Sequence, residues 1–295
     1  MEILVNREPL DFSLEDESSL GEVIDELAEW LRTGRFAITS LDVNDRTYAI
    51  HDRDSWADIA LHKVKEISVE ALPLSQADHA TLIALDEYFS LLARALEARD
   101  DAPIGELAEE LPYVRARLAG YFPSLLDADG RVGVCANREL ETGRLPEPVA
   151  AEALLAQIAD VRTILQTRER EYQDPERELA LSLGQLAATA GQLVDVPVQL
   201  QTGDEATAMQ TVIRLTELLT RVMRLVPLVD ASTPRPGIDI GGVRRFAEEV
   251  SPQLIELKDA FEAQDSVLIG DLLEYEIAPR LARLGQLLPE AGGDT

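Results

Sequence analysis

The hydrophobic period of this chain changes once, near residue 75, and that change constrains its fold more than any other feature. Up to that point short runs alternate apolar and polar residues; beyond it, apolar residues recur every three or four positions through long stretches. Alternation puts successive side chains on opposite faces of a strand, whereas a three-to-four spacing lines one face of a helix. Two periods in series imply an α+β chain, with a sheet-bearing module over residues 1–75 and a mainly helical domain over 76–295. A chain of 295 residues has the length to give each part its own core.

In the first part, Ile3 and Val5 share one face of a predicted strand. Leu10, Phe12 and Leu14 share a face of the next, with a polar turn at Asn6-Arg7-Glu8 between them. A helix follows. Ser19 and Glu22 have capping-box spacing, Leu20, Val23, Ile24, Leu27, Trp30 and Leu31 form its apolar stripe, and Gly34 marks its end. Phe36–Val43 and Thr47–Ile50 read as a hairpin around Asn44-Asp45, Trp56 and Ile59 lie in a connector with a short helical turn, and Ile67–Ala71 alternates as a closing strand. Met1-Glu2-Ile3-Leu4-Val5 resembles the first strand of the ubiquitin fold, Leu41–Tyr48 its central hairpin, and Ser55-Trp56-Ala57-Asp58 its connector. The resemblance covers about residues 1–72 and implies a β-grasp module. It does not imply conjugation, because Ala71-Leu72-Pro73-Leu74 runs on without a Gly-Gly tail. Gly292-Gly293 is expected to belong to a frayed end.

The second part reads as helices over roughly 77–98, 102–119, 148–171, 176–201, 205–227, 243–263 and 267–288. Gly- and Pro-rich connections break the pattern at 123–147, a sub-boundary with room for a short strand pair, and at 230–242. The segment Ala95–Leu107 aligns without gaps to Ala260–Leu272 with seven of thirteen positions identical, and Leu200–Ala206 is a weaker third copy. Each copy ends one helix, presents an aspartate and starts another. Asp100, Asp204 and Asp265 are therefore expected as helix caps beside Ser19, their carboxylates accepting N–H groups that a new helix leaves unpaired. Leu200–Ala208 looks like a tetratricopeptide turn, but the aspartates stand 104 and then 61 residues apart, far from that family's period of ~34. Long antiparallel hairpins in a bundle fit better. Pro112 and Pro279 are expected to kink two of these helices, and Ser251-Pro252 to start a new piece within 243–263. The 205–227 helix carries two apolar stripes, one with Met209, Val212, Ile213, Thr216, Leu219 and Met223, the other with Leu215, Leu218, Val222 and Leu225. It is read as central in the bundle, or as sharing one side with a partner.

Charge excludes several classes of function. Against 55 acidic residues stand 27 basic ones, only three of them lysine, for a net charge of −28. Such a field repels nucleic-acid backbones and anionic lipid, so neither is expected as a partner. The composition fits a bacterial or archaeal host with high salt or high GC content, or an acidic surface for a basic partner. No run approaches the ~20 apolar residues of a membrane span, the N-terminus lacks a signal pattern, and Cys135 stands alone, so a reducing, cytoplasmic setting is expected.

Site chemistry is sparse. His51, His62 and His79 form no ligand spacing, Gly237, Gly241 and Gly242 no phosphate loop, and Cys135 has no activating base among its sequence neighbours. No catalytic residue, cofactor or metal is expected. The one acidic face with candidate function is Asp271, Glu274 and Tyr275, at i, i+3 and i+4, with Arg280 and Arg283 one to two turns on. The leading expectation is a non-catalytic adaptor, scaffold or chaperone-like protein that binds another protein through a helical groove, the exposed sheet, or both. An acidic metal-binding or enzymatic site near Asp271 and Glu274, and self-assembly through the 205–227 helix, are the alternatives.

Overall fold

The computed structural model describes residues 1–11, 17–127, 130, 132–231, 238–263 and 265–284. The chain divides into two compact units, Met1–Glu169 and Arg170–Thr295. Some sequence expectations lie outside the described residues: the second strand from Phe12 to Leu14, parts of the connections at 123–147 and 230–242, the end of the last helix at 285–288, and Gly292-Gly293.

The first unit opens with β1 (Glu2–Val5) and β2 (Glu8–Pro9), then α1 (Leu20–Thr33), β3 (Phe36–Val43), β4 (Arg46–Tyr48) and β5 (Glu66–Pro73). The five strands form one sheet in the order β2-β1-β5-β3-β4. β1 runs parallel to β5, and the other neighbours are antiparallel. β2 lies N-terminal to the apolar pattern read from the sequence; Leu10 follows the strand and donates its N–H to the Ile3 carbonyl at 2.8 Å.

Both hairpins turn on two left-handed residues, Asn6-Arg7 and Asn44-Asp45, the geometry whose twist matches that of the flanking strands. Each asparagine also ties its turn to β5 or the residues leading into it. Asn6 accepts from the Ala71 N–H at 2.8 Å and donates to the Ala71 carbonyl at 3.1 Å. Asn44 accepts from the Lys65 N–H at 2.7 Å and donates to the Lys63 carbonyl at 2.9 Å. The α1 stripe from Leu20 to Leu31 packs on Ile3, Leu41, Val43, Ile67 and Val69, with Trp56 closing the core at 2% exposure. Trp30 departs from the stripe and is half exposed. Ser19 and Glu22 form the capping box, and the Leu20 and Gly21 N–H groups donate to the Ile59 and Ala57 carbonyls.

β5 passes without a loop into α2 (Leu74–Ala98), which is followed by α3 (Ala102–Tyr121), the short α4 (Arg138–Glu141) and α5 (Pro148–Gln173). α3 continues through Pro112. The 123–147 connection is more structured than a loop: Leu126 bridges Val132, and Val134, Cys135 and Leu140 are buried.

The second unit holds α6 (Pro175–Leu193), α7 (Val196–Thr202), α8 (Glu205–Ala231), α9 (Ile240–Glu262), α10 (Ser266–Asp271) and α11 (Ala278–Arg283), with a π-helical segment, Leu272–Ile277, joining the last two. The expected single helix over 176–201 is two, bent by 44°; Pro197 opens the second within its first turn, where a missing N–H costs nothing. α9 instead continues through Pro252, and the Ser251 hydroxyl donates back to the Ala247 carbonyl at 2.7 Å rather than capping a new helix. Leu179, Leu183 and Leu186 of α6 meet Leu215, Leu218 and Val222 of α8 in the core, joined by Phe246, Leu273, Ile277 and Leu281. Among the described residues no single helix is long and apolar enough to cross a membrane.

The internal repeat has one structural meaning in both units. Ile104 and Leu107, like Ile269 and Leu272, are buried at the start of the second helix of a hairpin. Gly105 and Gly270 each lie where another part of the chain comes close. A Cβ on Gly143 would sit 3.3 Å from the Gly105 Cα, and a Cβ on Gly270 would sit 3.1 Å from the Pro197 ring.

Candidate functional site

A cleft of about 720 Å³ opens in the first unit between the sheet and helices α2 and α3. It exists because β4 is short. β4 pairs with Leu41, Asp42 and Val43 of β3 and stops at Tyr48. The same register carried on would set Ala49 and Ile50 beside Ser40 and Thr39. The chain turns away instead, with the Ala49 carbonyl accepting from the Asp52 N–H and from the Trp56 indole, each at 3.1 Å. Ala37–Ser40 of β3 therefore has β5 on one side and the cleft on the other, and a bulge between Ile38 and Ser40 leaves Thr39 exposed. Helical spacing supplies the opposite walls: Asp78, Thr81, Leu85 and Tyr88 from α2, and Glu110, Tyr113, Arg117 and Tyr121 from α3.

The cleft is rich in aromatic rings and in donors. His51 stacks on Tyr113 with ring centres 4.3 Å apart, and the Arg117 guanidinium lies 5.1 Å from the same ring. The Tyr121 hydroxyl donates to the Asp78 carboxylate at 2.5 Å; burial first, and then this bond, pushes its pKa up to about 12. Tyr88 donates to the Leu107 carbonyl at 2.9 Å, and burial raises its pKa further. Both hydroxyls stay protonated at neutral pH and serve as donors. The one thiol, Cys135, is fully buried with its pKa pushed up to about 12 by burial, which suppresses the nucleophilic thiolate. Among the described residues no three His, Cys, Asp or Glu side chains converge as a metal site. The chemistry on offer is recognition by stacking, hydrogen bonding and an open backbone edge.

The residues singled out from sequence lie elsewhere. Asp271, Glu274 and Tyr275 fall at the junction of α10 and the π-helical segment, where the Ala278 N–H reaches back five residues to the Leu273 carbonyl. Pro279, with no N–H of its own, follows this wider turn directly. Tyr275 is 63% exposed and shares a hydrogen bond with Glu274, which raises the tyrosine pKa. Arg280 pairs with Glu276 at 2.7 Å, and Arg283 donates to the Pro279 carbonyl at 3.4 Å; neither completes the acidic face. Of the caps, Asp265 accepts from the Leu268 N–H at 3.1 Å and Asp204 from the Thr207 N–H at 3.4 Å. Asp100 stands one residue before the cap position of α3 and accepts from the Ala102 N–H at 3.1 Å. On α8 the stripe with Leu215, Leu218, Val222 and Leu225 is buried; of the other stripe Leu219 is buried too, while Met209, Ile213 and Met223 are 42%, 52% and 52% exposed, so the helix is not enclosed on both sides.

Residues 1–73 match the family model of the TP0873 N-terminal domain, and residues 184–287 match a domain of unknown function, DUF8042. Over 105 residues the chain is 34% identical to an uncharacterised protein of Treponema pallidum (strain Nichols), a stretch that is 35% of this chain and 51% of that protein. The chain thus spans about half the length of the curated relative it matches. No solved structure matches it. The first match takes in the whole sheet, including the β3 and β4 walls of the cleft, and stops just before α2.

The cleft was not singled out from the sequence. Its α3 wall did leave a signal, since Tyr113, Arg117 and Tyr121 recur at i, i+4 and i+8 on a helix whose other face is Leu107, Leu111, Val114 and Leu118. A ladder of aromatic and cationic side chains opposite an apolar stripe marks a helix that faces something other than bulk water.

Proposed function

We propose that this chain is a non-catalytic protein-binding protein, an adaptor or chaperone-like scaffold, whose first unit carries the binding cleft. The observation behind this reading is the cleft itself: a strand with one unoccupied edge, faced by Tyr113, Arg117 and Tyr121. Large aromatic rings and arginine are the side chains that carry most energy at protein interfaces. The strand order β2-β1-β5-β3-β4 with its parallel central pair supports a ubiquitin-like module, a fold used for contact. The net charge favours partners of positive charge and weighs against nucleic acid and anionic membrane. The buried, unpaired Cys135 supports a reducing compartment, and we place the protein in the cytoplasm.

The test is affinity capture from the native host with the wild-type chain and with a Tyr113→Ala/Thr39→Pro variant, folding of both being checked by circular dichroism. The reading expects a reproducible partner that the variant loses. Enrichment of nothing, or of the same set by both chains, overturns it.

A second reading rests on α8. Its exposed Met209, Ile213 and Met223, with Thr216 and Thr220 between them, follow the four-three spacing of a helix–helix seam, which supports self-association through this face. Light scattering across concentration tests it, and a strict monomer removes it.

A further inference from the structure

The geometry points to an extended, positively charged peptide segment as the occupant of the cleft, added as a strand along Ala37–Ser40 of β3. This rests on the protein-binding reading above and names the partner's chemistry. The first argument is backbone complementarity. Ala37, Ile38 and Ser40 of β3 have a paired neighbour on the β5 side only, Thr39 bulges out between them, and the open side of this stretch faces the cleft. A strand edge presents N–H and C=O groups in a row that another extended chain satisfies and a helix does not. The edge is about 13 Å long at ~3.3 Å per residue, and a 720 Å³ cleft has the volume for a segment of that length with its side chains.

The second argument is what lines the walls. A strand seated on β3 points alternate side chains to opposite faces, and the wall across from it carries the Glu110 carboxylate, with the Asp78 carboxylate held by Tyr121 beside it. Arg117 is the cation there and it already lies against Tyr113. The chain as a whole carries −28. A cationic segment is therefore drawn in by the long-range field and met locally by the acidic wall. The bulge at Thr39 and the short β4 also explain why this edge stays accessible without pairing freely: a bulged, recessed edge inside a cleft is protected from chance strand pairing.

The test is selection of random ten-residue peptides displayed on phage against the full chain, followed by amide NMR of the labelled chain with the enriched peptide and with its backbone N-methylated analogue. The inference expects cationic peptides to be enriched, the Ala37–Ser40 amides to shift and become exchange-protected, and N-methylation to weaken binding at least tenfold. Peptides that shift Tyr113 and Arg117 equally well when N-methylated, or that are acidic, overturn strand addition and leave the protein-binding reading standing. Selection that yields no peptide perturbing any cleft residue overturns both.

Discussion

Two asparagines do more in the first unit than their place in turns suggests. Asn6 and Asn44 each hold a left-handed backbone conformation, and each closes a pair of hydrogen bonds onto β5 or the residues leading into it. Replacing Asn6 by alanine removes both bonds and puts in the left-handed region a residue that tolerates it less well than asparagine, at a cost of about 1–3 kcal/mol; urea unfolding measures it as a lower midpoint with an unchanged slope. Tyrosine ionisation gives a second test at this scale. Tyr121 has its pKa raised to about 12 from 10, so its neutral form is favoured in the folded state. That contribution is fully present below pH 10 and is lost as pH rises through 12. Thermal melts of the wild type should fall between pH 10 and 12, and Tyr121→Phe should remove part of that fall, Tyr88 keeping its own share, while lowering stability at pH 8. Asn6 was legible as a turn residue and not as a tie to a strand 65 positions away, because nothing local encodes the second partner.

Glycines and prolines separate the elements that look alike in sequence. Gly105 and Gly270 occupy the same position of the repeat, yet a Cβ on Gly105 meets nothing within 4 Å while one on Gly270 meets Pro197 at 3.1 Å. Gly105→Ala should stabilise by up to ~1 kcal/mol through helix propensity, and Gly270→Ala should destabilise by about 1–3 kcal/mol through overpacking; differential scanning calorimetry of the two variants reads the opposite signs. The ends of α5, α6 and α8 meet in a charge network. Glu171, 1% exposed, receives both Nε and a terminal nitrogen of Arg224, and Arg221 bridges it to Glu178. Glu171→Ala takes these bonds from the part-buried Arg224, while Arg221 keeps Glu178, and should cost about 1–3 kcal/mol, measured by denaturant unfolding; Glu171→Gln should cost less. The helices themselves were legible from their period, and most boundaries fall within a few residues of it. The prolines were not. Pro112 and Pro252 sit inside continuous helices while Pro279 follows a π turn, and what decides between these outcomes is the packing around each, which a single sequence does not carry.

At the scale of the molecule, net charge is the dominant long-range term. A chain at −28 repels itself, so raising NaCl from about 50 mM to about 1 M should raise the melting temperature by several degrees as screening shortens the Debye length from over 10 Å to ~3 Å; a flat response would show that internal ion pairs already balance the field. The cleft was hidden from sequence reasoning for a different reason. Its walls come from residues 37–51, 74–88 and 110–121, and only the closed sheet with its helices brings them together. The Asp271–Tyr275 face, by contrast, was visible because it is local, and locality made it look like a site.

The direct passage of β5 into α2 has a mechanical consequence. β1 and β5 are parallel neighbours, so the start of β1 and the end of β5 lie at opposite ends of their shared ladder. Tension applied between the N-terminus and α2 would load the hydrogen bonds of that ladder together, in shear, instead of opening them one at a time. The antiparallel β3–β4 hairpin, pulled at its open end, would unzip. Force spectroscopy on the full chain should therefore find the sheet strong along the axis that leads into α2, and weak at the hairpin that borders the cleft.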